Sequence, residues 1–417
     1  MIEKSKSVFE KWSNEYFVLH QIDHHAIYMF DKDVKVLWNA IEPRMELNEL
    51  HRHINQLGYD MSFEEIQEFV IFFAQLGVIT MDGIEENIEV IADNNQYETY
   101  IDYCCERAMP TILHVELTNA CNLNCIHCFH DQNPEWLSYE DIVRVLQRLK
   151  NTSFVRITLT GGEVGLYPKW KEIIEVAKNN GFSVAILSNL TQFNDQDLNY
   201  IVSQKPLFVR TSLYGASAEQ HDGITGIKQS FDMTLRNIQY LKDRGVKASV
   251  ACSVMKQNAN EIVALKQLMD EIDIPIEFGY QILPSRNDSK NIEEIMVDST
   301  TYQHLKGLGI IKPSSETSCN PGTYRIAIDP RGFIYACDAL RVPIGNIKNE
   351  SVFEALSGIE MKKIRKAIEE YSPDQCKTCV NAANCFRCPG LVWSYKPYAN
   401  ECSSVHCLYT KVTSCRK

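Results

Sequence analysis

The chain has 417 residues, of which 45% are hydrophobic, and this length is sufficient for a sizeable core and for two or three domains. Its 42 basic and 54 acidic residues give a net charge of −12, which argues against general binding to nucleic acid or to an anionic membrane. No segment approaches the about 20 uncharged apolar residues of a membrane span, so we expect a cytoplasmic protein whose fifteen cysteines are metal ligands or buried thiols rather than disulfides.

The first 95 residues contain short apolar runs followed by helical patterns. The runs predict three strands, at 16–19, 26–30 and 34–38. Apolar spacing predicts a helix over 47–57, and Ser62 begins another in a capping-box pattern. This order resembles the winged-helix (PqqD-like) leader-recognition domain of peptide-modifying enzymes, which implies that residues 1–95 bind a precursor's leader peptide at an exposed strand edge. A winged-helix fold that binds nucleic acid, or a packing appendage, is the alternative.

A polar, acidic connector over 82–100 precedes a second unit, residues 105–310, in which strand and helix patterns alternate as in parallel βα units. The predicted strands are 112–118, 155–160, 183–188, 207–213, 246–254 and 276–282. Ser138 is placed to begin a helix, and Gly181 and Gly245 to end two others. Six such units predict an α/β fold, an open partial (β/α)6 barrel, with functional residues at the carboxyl ends of its strands.

Three cysteines, Cys121, Cys125 and Cys128, follow the first of these strands in a CxxxCxxC motif. Three thiolates on one loop can hold three irons of a 4Fe-4S cluster and leave the fourth iron for a small-molecule cofactor, whereas structural zinc usually takes four ligands. The motif, with Phe129 after its last cysteine, resembles that of the radical S-adenosylmethionine (SAM) enzymes. The resemblance implies SAM as cofactor and a catalytic cluster on these cysteines, with a structural or chance triplet as the alternative.

Gly161, Gly162 and Glu163 follow the second predicted strand, where radical SAM enzymes have a GGE motif that holds the amino group of the methionine moiety. Glycines allow close approach of the backbone, and a carboxylate pairs with an ammonium group. The segment around Ser212 resembles the family's fourth strand, which implies that Ser212 contacts the cofactor, with an ordinary strand hydroxyl as the alternative. Thr225 stands where relatives often have an Arg, so the partner of the SAM carboxylate is left open.

A second group of cysteines, within residues 311–417, resembles the SPASM extension of radical SAM enzymes, which binds two auxiliary 4Fe-4S clusters. The first auxiliary cluster is implied to lie on Cys319, Cys337 and Cys388. The second is implied to lie on Cys376, Cys379, Cys385 and either Cys402 or Cys407. Three thiolates would leave one iron of the first cluster open to a peptide thiol, unless Cys402, Cys407 or Cys415 closes the site. A zinc ribbon is the alternative for Cys376, Cys379, Cys385 and Cys388.

Other cysteines and histidines carry weaker signals. Cys104, Cys105 and Cys252 are expected to be thiols without a catalytic role, and Cys252 in particular a buried one. His114 and His127 lie near the cysteine loop and are expected to hydrogen-bond beside a cluster rather than to ligate it.

The whole chain thus resembles a radical SAM/SPASM maturase of ribosomally made peptides. The resemblance implies an oxidoreductase that forms a cross-link through a 5'-deoxyadenosyl radical. The cross-link that it favours is a cysteine thioether. It also implies two partners, a precursor peptide with a leader and an electron donor such as flavodoxin or ferredoxin. Alternatives are carbon-carbon cross-linking, modification of a folded protein as by sulfatase-maturing enzymes, and a non-catalytic iron-sulfur protein for electron transfer or sensing.

Overall fold

The structure is a computed structural model, and it describes residues 1–130, 134–280, 282–283, 292–310, 320–372, 374–378, 388–393 and 398–400. The strands are β1 (Ile2–Lys4), β2 (Val8–Lys11), β3 (Phe17–Gln21), β4 (Ala26–Phe30), β5 (Ile79–Met81), β6 (Ile112–Thr118), β7 (Arg156–Gly161), β8 (Ser183–Leu187), β9 (Phe208–Ser212), β10 (Ala248–Ser253), β11 (Ile276–Gly279), β12 (Arg325–Ile328), β13 (Phe333–Tyr335) and β14 (Pro343–Asn346). The helices are α1 (Val34–Ala40), α2 (Leu47–Gln56), α3 (Phe63–Gln75), α4 (Ile88–Asn94), α5 (Tyr97–Glu106), α6 (Tyr139–Leu149), α7 (Trp170–Asn179), α8 (Asp195–Gln204), α9 (Ala218–Thr225), α10 (Ser230–Asp243), α11 (Ile262–Glu271), α12 (Ile292–Ile295), α13 (Ser299–Gly307), α14 (Val352–Ser357), α15 (Ile359–Glu369), α16 (Asp374–Lys377) and α17 (Pro389–Trp393).

The N-terminal unit contains an antiparallel sheet in the order β2-β3-β4, and its helices α2 and α3 pack on one face. Two of the three predicted strands are confirmed as β3 and β4, but the prediction of a strand at 34–38 is wrong. Val34, Leu37 and Trp38 recur at the spacing of one helix face, so this run forms α1 and packs on the core. Strand β2 supplies the third strand.

The two helices predicted for this unit are confirmed. Helix α3 begins at a capping box, in which the Glu65 backbone N–H donates to the Ser62 hydroxyl oxygen and the Ser62 N–H donates to the Glu65 carboxylate. Leu50 and Ile54 from α2 and Phe73 from α3 are buried in the same core. Amphipathic spacing therefore located these helices correctly.

The stretch at 82–100, predicted as a polar, acidic connector, is largely helical. It contains α4 and the start of α5, and α5 buries Tyr100 and Ile101 against Val18 and Ile27 of the sheet. Both faces of the small sheet are thus covered. In α5, four buried or half-buried apolar residues recur at helical spacing. Burying this apolar face stabilises the helix despite the acidic residues between them.

The outer edge of β4 is also covered, by the chain just before α5. The Ile27 N–H donates to Asn95 Oδ1 at 3.0 Å, and the Met29 N–H donates to Gln96 Oε1 at 2.7 Å. The Gln96 N–H in turn donates to the Ile27 carbonyl at 2.8 Å. The expectation of an exposed strand edge is therefore wrong for β4, because side-chain amides satisfy the backbone groups that a peptide strand would pair with.

Buried polar groups join the N-terminal unit to the barrel. Lys11 Nζ donates to the carbonyls of Lys150 and Phe154 at 3.0 and 2.8 Å, and burial lowers the pKa of this amine to about 7. His20 contacts the Gly181 carbonyl and the Ser183 hydroxyl, and burial holds its pKa well below the usual range. These partners precede or begin β7 and β8, so the unit docks at the amino ends of the barrel strands.

The barrel is part of a nine-stranded sheet with the order β11-β10-β9-β8-β7-β6-β12-β13-β14. Strands β6 to β11 are parallel neighbours, which confirms all six predicted strands and the open, partial barrel. Strand β12 pairs in parallel with β6, so β12, β13 and β14 continue the sheet of the barrel. No helix in the described part of the chain is long and apolar enough to cross a membrane.

Candidate active site

The cysteine loop leaves β6 at Thr118 and is held at both ends by hydrogen bonds. The Thr118 hydroxyl donates to the Glu135 carbonyl at 2.7 Å and accepts from the Ala120 N–H at 3.0 Å. Further along, the backbone N–H of Asn124 donates to the Thr225 carbonyl at 2.8 Å, at the end of α9. The loop is thus positioned by the end of its own strand and by a helix about 100 residues away in sequence.

The glycine pair after β7 packs directly beneath this loop. Gly161 has a φ of 129°, and a Cβ at this residue would lie 2.2 Å from the Thr118 carbonyl oxygen. A Cβ on Gly162 would lie 2.2 Å from the Ala120 carbonyl oxygen, while the Gly162 N–H donates to the Thr118 carbonyl at 2.7 Å. In this structure the glycines therefore permit close approach of two protein backbones.

Glu163 is 1% exposed and lies at the centre of a hydrogen-bond network. Its carboxylate accepts from the Ser188 hydroxyl at 2.6 Å, the Gly165 N–H at 2.9 Å and the Asn189 N–H at 2.8 Å. Burial raises the pKa of Glu163, while these three hydrogen bonds oppose the increase. A carboxylate has about four acceptor sites, so one more donor, such as an ammonium group, is still compatible with this network. The role of Glu163 toward SAM stays a prediction.

Asn189 is a site residue that the sequence analysis missed. It follows β8, and its side-chain amide lies 3.8 Å from the Cys121 sulfur and donates to Asn122 Oδ1 at 2.9 Å. Its backbone N–H also donates to Glu163, so one residue links the buried carboxylate to the cysteine loop. Its place at the carboxyl end of a predicted barrel strand was the available signal.

The three loop cysteines follow the carboxyl end of β6, and the Cys128 backbone N–H donates to the Cys125 carbonyl at 3.1 Å. Loss of solvent around its sulfur raises the pKa of Cys121, and the nearby Glu163 and Cys128 raise it further, although the residue as a whole is exposed. No three His, Cys, Asp or Glu side chains within the described residues converge on a point suited to one metal ion. A cubane cluster binds each thiolate through a different iron, so this donor set fits a cluster better than a single ion.

Ser212 ends β9 and is half-buried beside the cysteine loop. Burial and then the neighbouring Cys125 thiol raise the pKa of Tyr214, and the nearby Ser212 hydroxyl opposes this increase. Tyr214 packs edge-on against His127 with 4.7 Å between ring centroids, and the role of His127 as a hydrogen-bonding residue beside a cluster stays a prediction. Thr225 is fully buried, and its hydroxyl is 2.7 Å from that of Ser230, so this residue holds the loop and offers no cation.

Three of the proposed auxiliary-cluster cysteines lie within the described residues. Cys337 follows β13, Cys388 precedes α17, and Cys376 lies buried in α16. Gly390 packs so closely on the Cys337 loop that a Cβ would lie 3.1 Å from the Ala339 carbonyl, which brings the segments of Cys337 and Cys388 together. The other proposed ligands lie outside the described residues, namely Cys319, Cys379, Cys385, Cys402 and Cys407, as does Cys415.

The Cys337 loop also contacts β6, the strand that precedes the first three cysteines. His114 Nδ1 lies 3.1 Å from an Asp338 carboxylate oxygen, and Arg325 Nε lies 3.3 Å from the other oxygen. Arg341 forms a buried ion pair with Glu116. His114 thus hydrogen-bonds to an acidic residue next to a proposed ligand, and its place beside a cluster stays a prediction. Glu116 and Arg341 were not predicted as site residues. Cys252 is 2% exposed, in agreement with its prediction as a buried thiol.

Two family models match the chain. One is described as the radical SAM superfamily and matches residues 115–269, and the other is described as an iron-sulfur cluster-binding domain, SPASM, and matches residues 319–380. The first match includes all three cysteines of the loop after β6, together with Glu163 and Ser212.

Relatives among curated proteins include two from Bacillus subtilis (strain 168). The chain is 27% identical over 266 residues to the antilisterial bacteriocin subtilosin biosynthesis protein AlbA, and the match covers 59% of each chain. It is 25% identical over 276 residues to the sporulation killing factor maturation protein SkfB, covering 62% of this chain and 67% of that protein. With the mycofactocin maturase MftC of Mycolicibacterium smegmatis it shares 24% identity over 297 residues, covering 65% of this chain and 75% of MftC.

Solved structures share the fold at lower identity. Streptococcus suis SuiB bound to precursor peptide SuiA superposes with a TM-score of 0.61 at 14% identity, covering 97% of this chain and 99% of SuiB. The structure of anSMEcpe with bound AdoMet superposes with a TM-score of 0.57 at 16% identity and covers 73% of this chain and 96% of that one. The SuiB match extends over the N-terminal unit as well as the barrel.

Proposed function

From the premise that this chain contains a radical SAM domain followed by a SPASM domain, we propose that it forms a cysteine thioether in a ribosomally synthesised precursor peptide. Its cofactors are SAM and a 4Fe-4S cluster, and its SPASM domain binds auxiliary iron-sulfur clusters. One observation carries the proposal: the carboxylate of Asp338, the residue after Cys337, lies 3.1 Å from His114 Nδ1 of β6, the strand that leads to the loop of Cys121. The segments of both proposed cluster sites therefore contact the same barrel strand.

The chain's own residues hold the first site in place. When bound, the cluster and SAM supply one-electron cleavage of SAM and removal of a hydrogen atom from the peptide. The close approach of Gly161 and Gly162 to the backbone of the cysteine loop determines the distance between that loop and β7. Glu163 accepts hydrogen bonds from Ser188 and Asn189 and so holds their segment beside the loop. The Asn189 amide directs N–H donors toward the Cys121 sulfur, which favours its thiolate form. We propose Ser212 as a cofactor contact on the same rim.

The proposed partners are a precursor peptide and an electron donor such as flavodoxin or ferredoxin. We propose that residues 1–95 recognise the leader of the precursor. This unit docks at the amino ends of the strands, whereas the cysteine loop lies at their carboxyl ends, and a six-residue strand spans about 20 Å. The leader and the modified core must therefore be separated by enough chain to pass along the barrel.

The proposed function is tested with full-length protein under anaerobic, reducing conditions. The substrates are SAM and a short Cys-containing precursor peptide, to be sought among the open reading frames beside this chain's gene. We expect 5'-deoxyadenosine and a peptide lighter by two hydrogens, in which the acceptor cysteine no longer reacts with iodoacetamide. The same mass loss with a cysteine that still reacts would indicate a carbon-carbon cross-link, and formation of 5'-deoxyadenosine without peptide modification would contradict the maturase assignment.

The covered edge of β4 leads to a prediction about leader binding. If the leader adds a strand at this edge, it must displace the side chains of Asn95 and Gln96. Each neutral hydrogen bond is worth about 1 kcal/mol, so replacing both residues with Ala should tighten leader binding by roughly tenfold or more. Isothermal titration of the full-length chain with the leader measures this. Thr99→Ala, an exposed change in α5, is the matched control, and unchanged affinity in the double variant would place the leader elsewhere.

A further inference from the structure

Arg341 is a buried cation with donors that the ion pair does not use. Its side chain is 9% exposed, and its Nη2 atom forms the ion pair with Glu116, whose side chain is 5% exposed. The Nε and Nη1 atoms are buried and have no hydrogen-bond partner among the described residues. A guanidinium group carries five N–H donors, and buried donors without an acceptor are costly, so this side chain is built to receive another acceptor.

The location of Arg341 points to the reacting part of the substrate. Val115 and Leu117 of β6 belong to the apolar core shared with the barrel helices, so Glu116 between them faces the barrel interior. Glu116 lies two residues before the end of β6, about 7 Å along the strand from the start of the cysteine loop. Arg341 itself follows Cys337 by four residues. The ion pair thus lies between the segments of the two proposed iron-sulfur sites.

The charges around Arg341 indicate whether the additional hydrogen-bond acceptor is a charged or a neutral group. Glu116 is paired with Arg341, and Asp338 is paired with Arg325 and also contacts His114, so each of these carboxylates has a cationic partner and each Arg already faces one carboxylate. A further carboxylate would add an uncompensated negative charge to a poorly solvated site, which is unfavourable. A carbonyl oxygen accepts from Nε and Nη1 without adding charge.

We propose that Arg341 binds a main-chain carbonyl of the core peptide and holds the peptide backbone between the two iron-sulfur sites. This inference rests on the proposed function, because it takes a peptide as the substrate. Recognition through the backbone does not depend on the neighbouring side chains, and the bound segment is oriented for reaction while its sequence can vary.

Two other roles are compatible with a buried Arg341, and the test distinguishes them from binding of the peptide backbone. In the first, Arg341 binds the carboxylate of SAM, for which Thr225 offers no cation. In the second, Arg341 only neutralises Glu116. The test uses full-length protein, the precursor described above, and an amidated version in which every core Asp and Glu is changed to Asn or Gln.

We expect Arg341→Gln to lower kcat/KM for both precursors at least about tenfold, and to raise the ratio of 5'-deoxyadenosine to cross-linked peptide. The affinity for SAM and its cleavage without peptide should stay at the wild-type level. Modification of the same peptides by the wild-type protein tests the proposed function separately. A loss of peptide modification that occurs only in the variant is therefore due to Arg341.

The double variant Glu116→Gln with Arg341→Met removes both charges and tests the structural role. If Arg341 only neutralised Glu116, the double variant would recover peptide modification, because removing both partners of a buried pair is close to neutral. Recovery of peptide modification in the double variant would therefore overturn the proposal. Weaker SAM binding by Arg341→Gln would also overturn it, and so would an unchanged kcat/KM of this variant for the amidated precursor. Continued loss in the double variant, with normal SAM cleavage, would support it.

Discussion

Replacing Cys125 with Ala abolishes SAM cleavage while the fold survives; this is the largest effect that we expect from a single substitution. The cluster needs three thiolates from one loop, and two leave it weakly held. The loop backbone does not depend on this sulfur, because it is held through Thr118 and through hydrogen bonds from Asn124 and Ile126 to α9. Reconstituted variant protein should contain less iron, and chromatography should detect no 5'-deoxyadenosine above the enzyme-free level.

The matched control for this experiment is Cys105→Ser. Cys105 is a half-buried thiol in α5, far from the barrel mouth, and its loss should leave SAM cleavage unchanged. Circular dichroism and thermal unfolding of both variants establish that the fold is intact. Cleavage that persists when Cys121, Cys125 and Cys128 are all replaced with Ala would refute the assignment of the cluster to this loop.

The second large effect is expected from Gly162→Ala, which adds one methyl group and removes no polar atom. Its Cβ would lie 2.2 Å from the Ala120 carbonyl oxygen and 2.6 Å from that of Asn119, and both are backbone atoms that cannot rotate away. Since ordinary contacts begin at 3.4 Å, the cysteine loop must move by about 1 Å. A misplacement of this size in an active site can reduce the rate about 100-fold.

Gly307→Ala is the control for the glycine experiment, because Gly307 ends α13 and a Cβ there would meet no atom within 4 Å. We expect wild-type cleavage from this variant and at least about 100-fold slower cleavage from Gly162→Ala, together with lower cluster occupancy in electron paramagnetic resonance. If Gly162→Ala cleaves SAM at the wild-type rate, the tight packing beneath the loop has no functional role.

The barrel could be predicted because its signals are local. Its strands are short runs rich in apolar or β-branched residues, and Gly181 and Gly245 both adopt the positive φ of 80° with which a helix commonly ends. Once the strand order is known, Cys121 and Glu163 are expected on the same rim, because both follow the carboxyl ends of neighbouring parallel strands. The strand prediction at 34–38 was wrong because a run of four apolar residues interrupted by Lys35 fits a strand and a helix equally well until its neighbours are known.

The sequence alone thus determined the barrel strands, the cysteine loop and the order of the units, since each depends on residues close together in the chain. Only the tertiary structure decided which distant groups meet. Asn189 reaches Cys121 across 68 residues, and Arg341 pairs with Glu116 across 225. The edge of β4 is likewise closed by Asn95 and Gln96 because α5 packs on the same sheet. Such contacts depend on strand register and on which elements pack together. Periodic patterns in the sequence show which face of a helix is buried, but not which distant residues it meets.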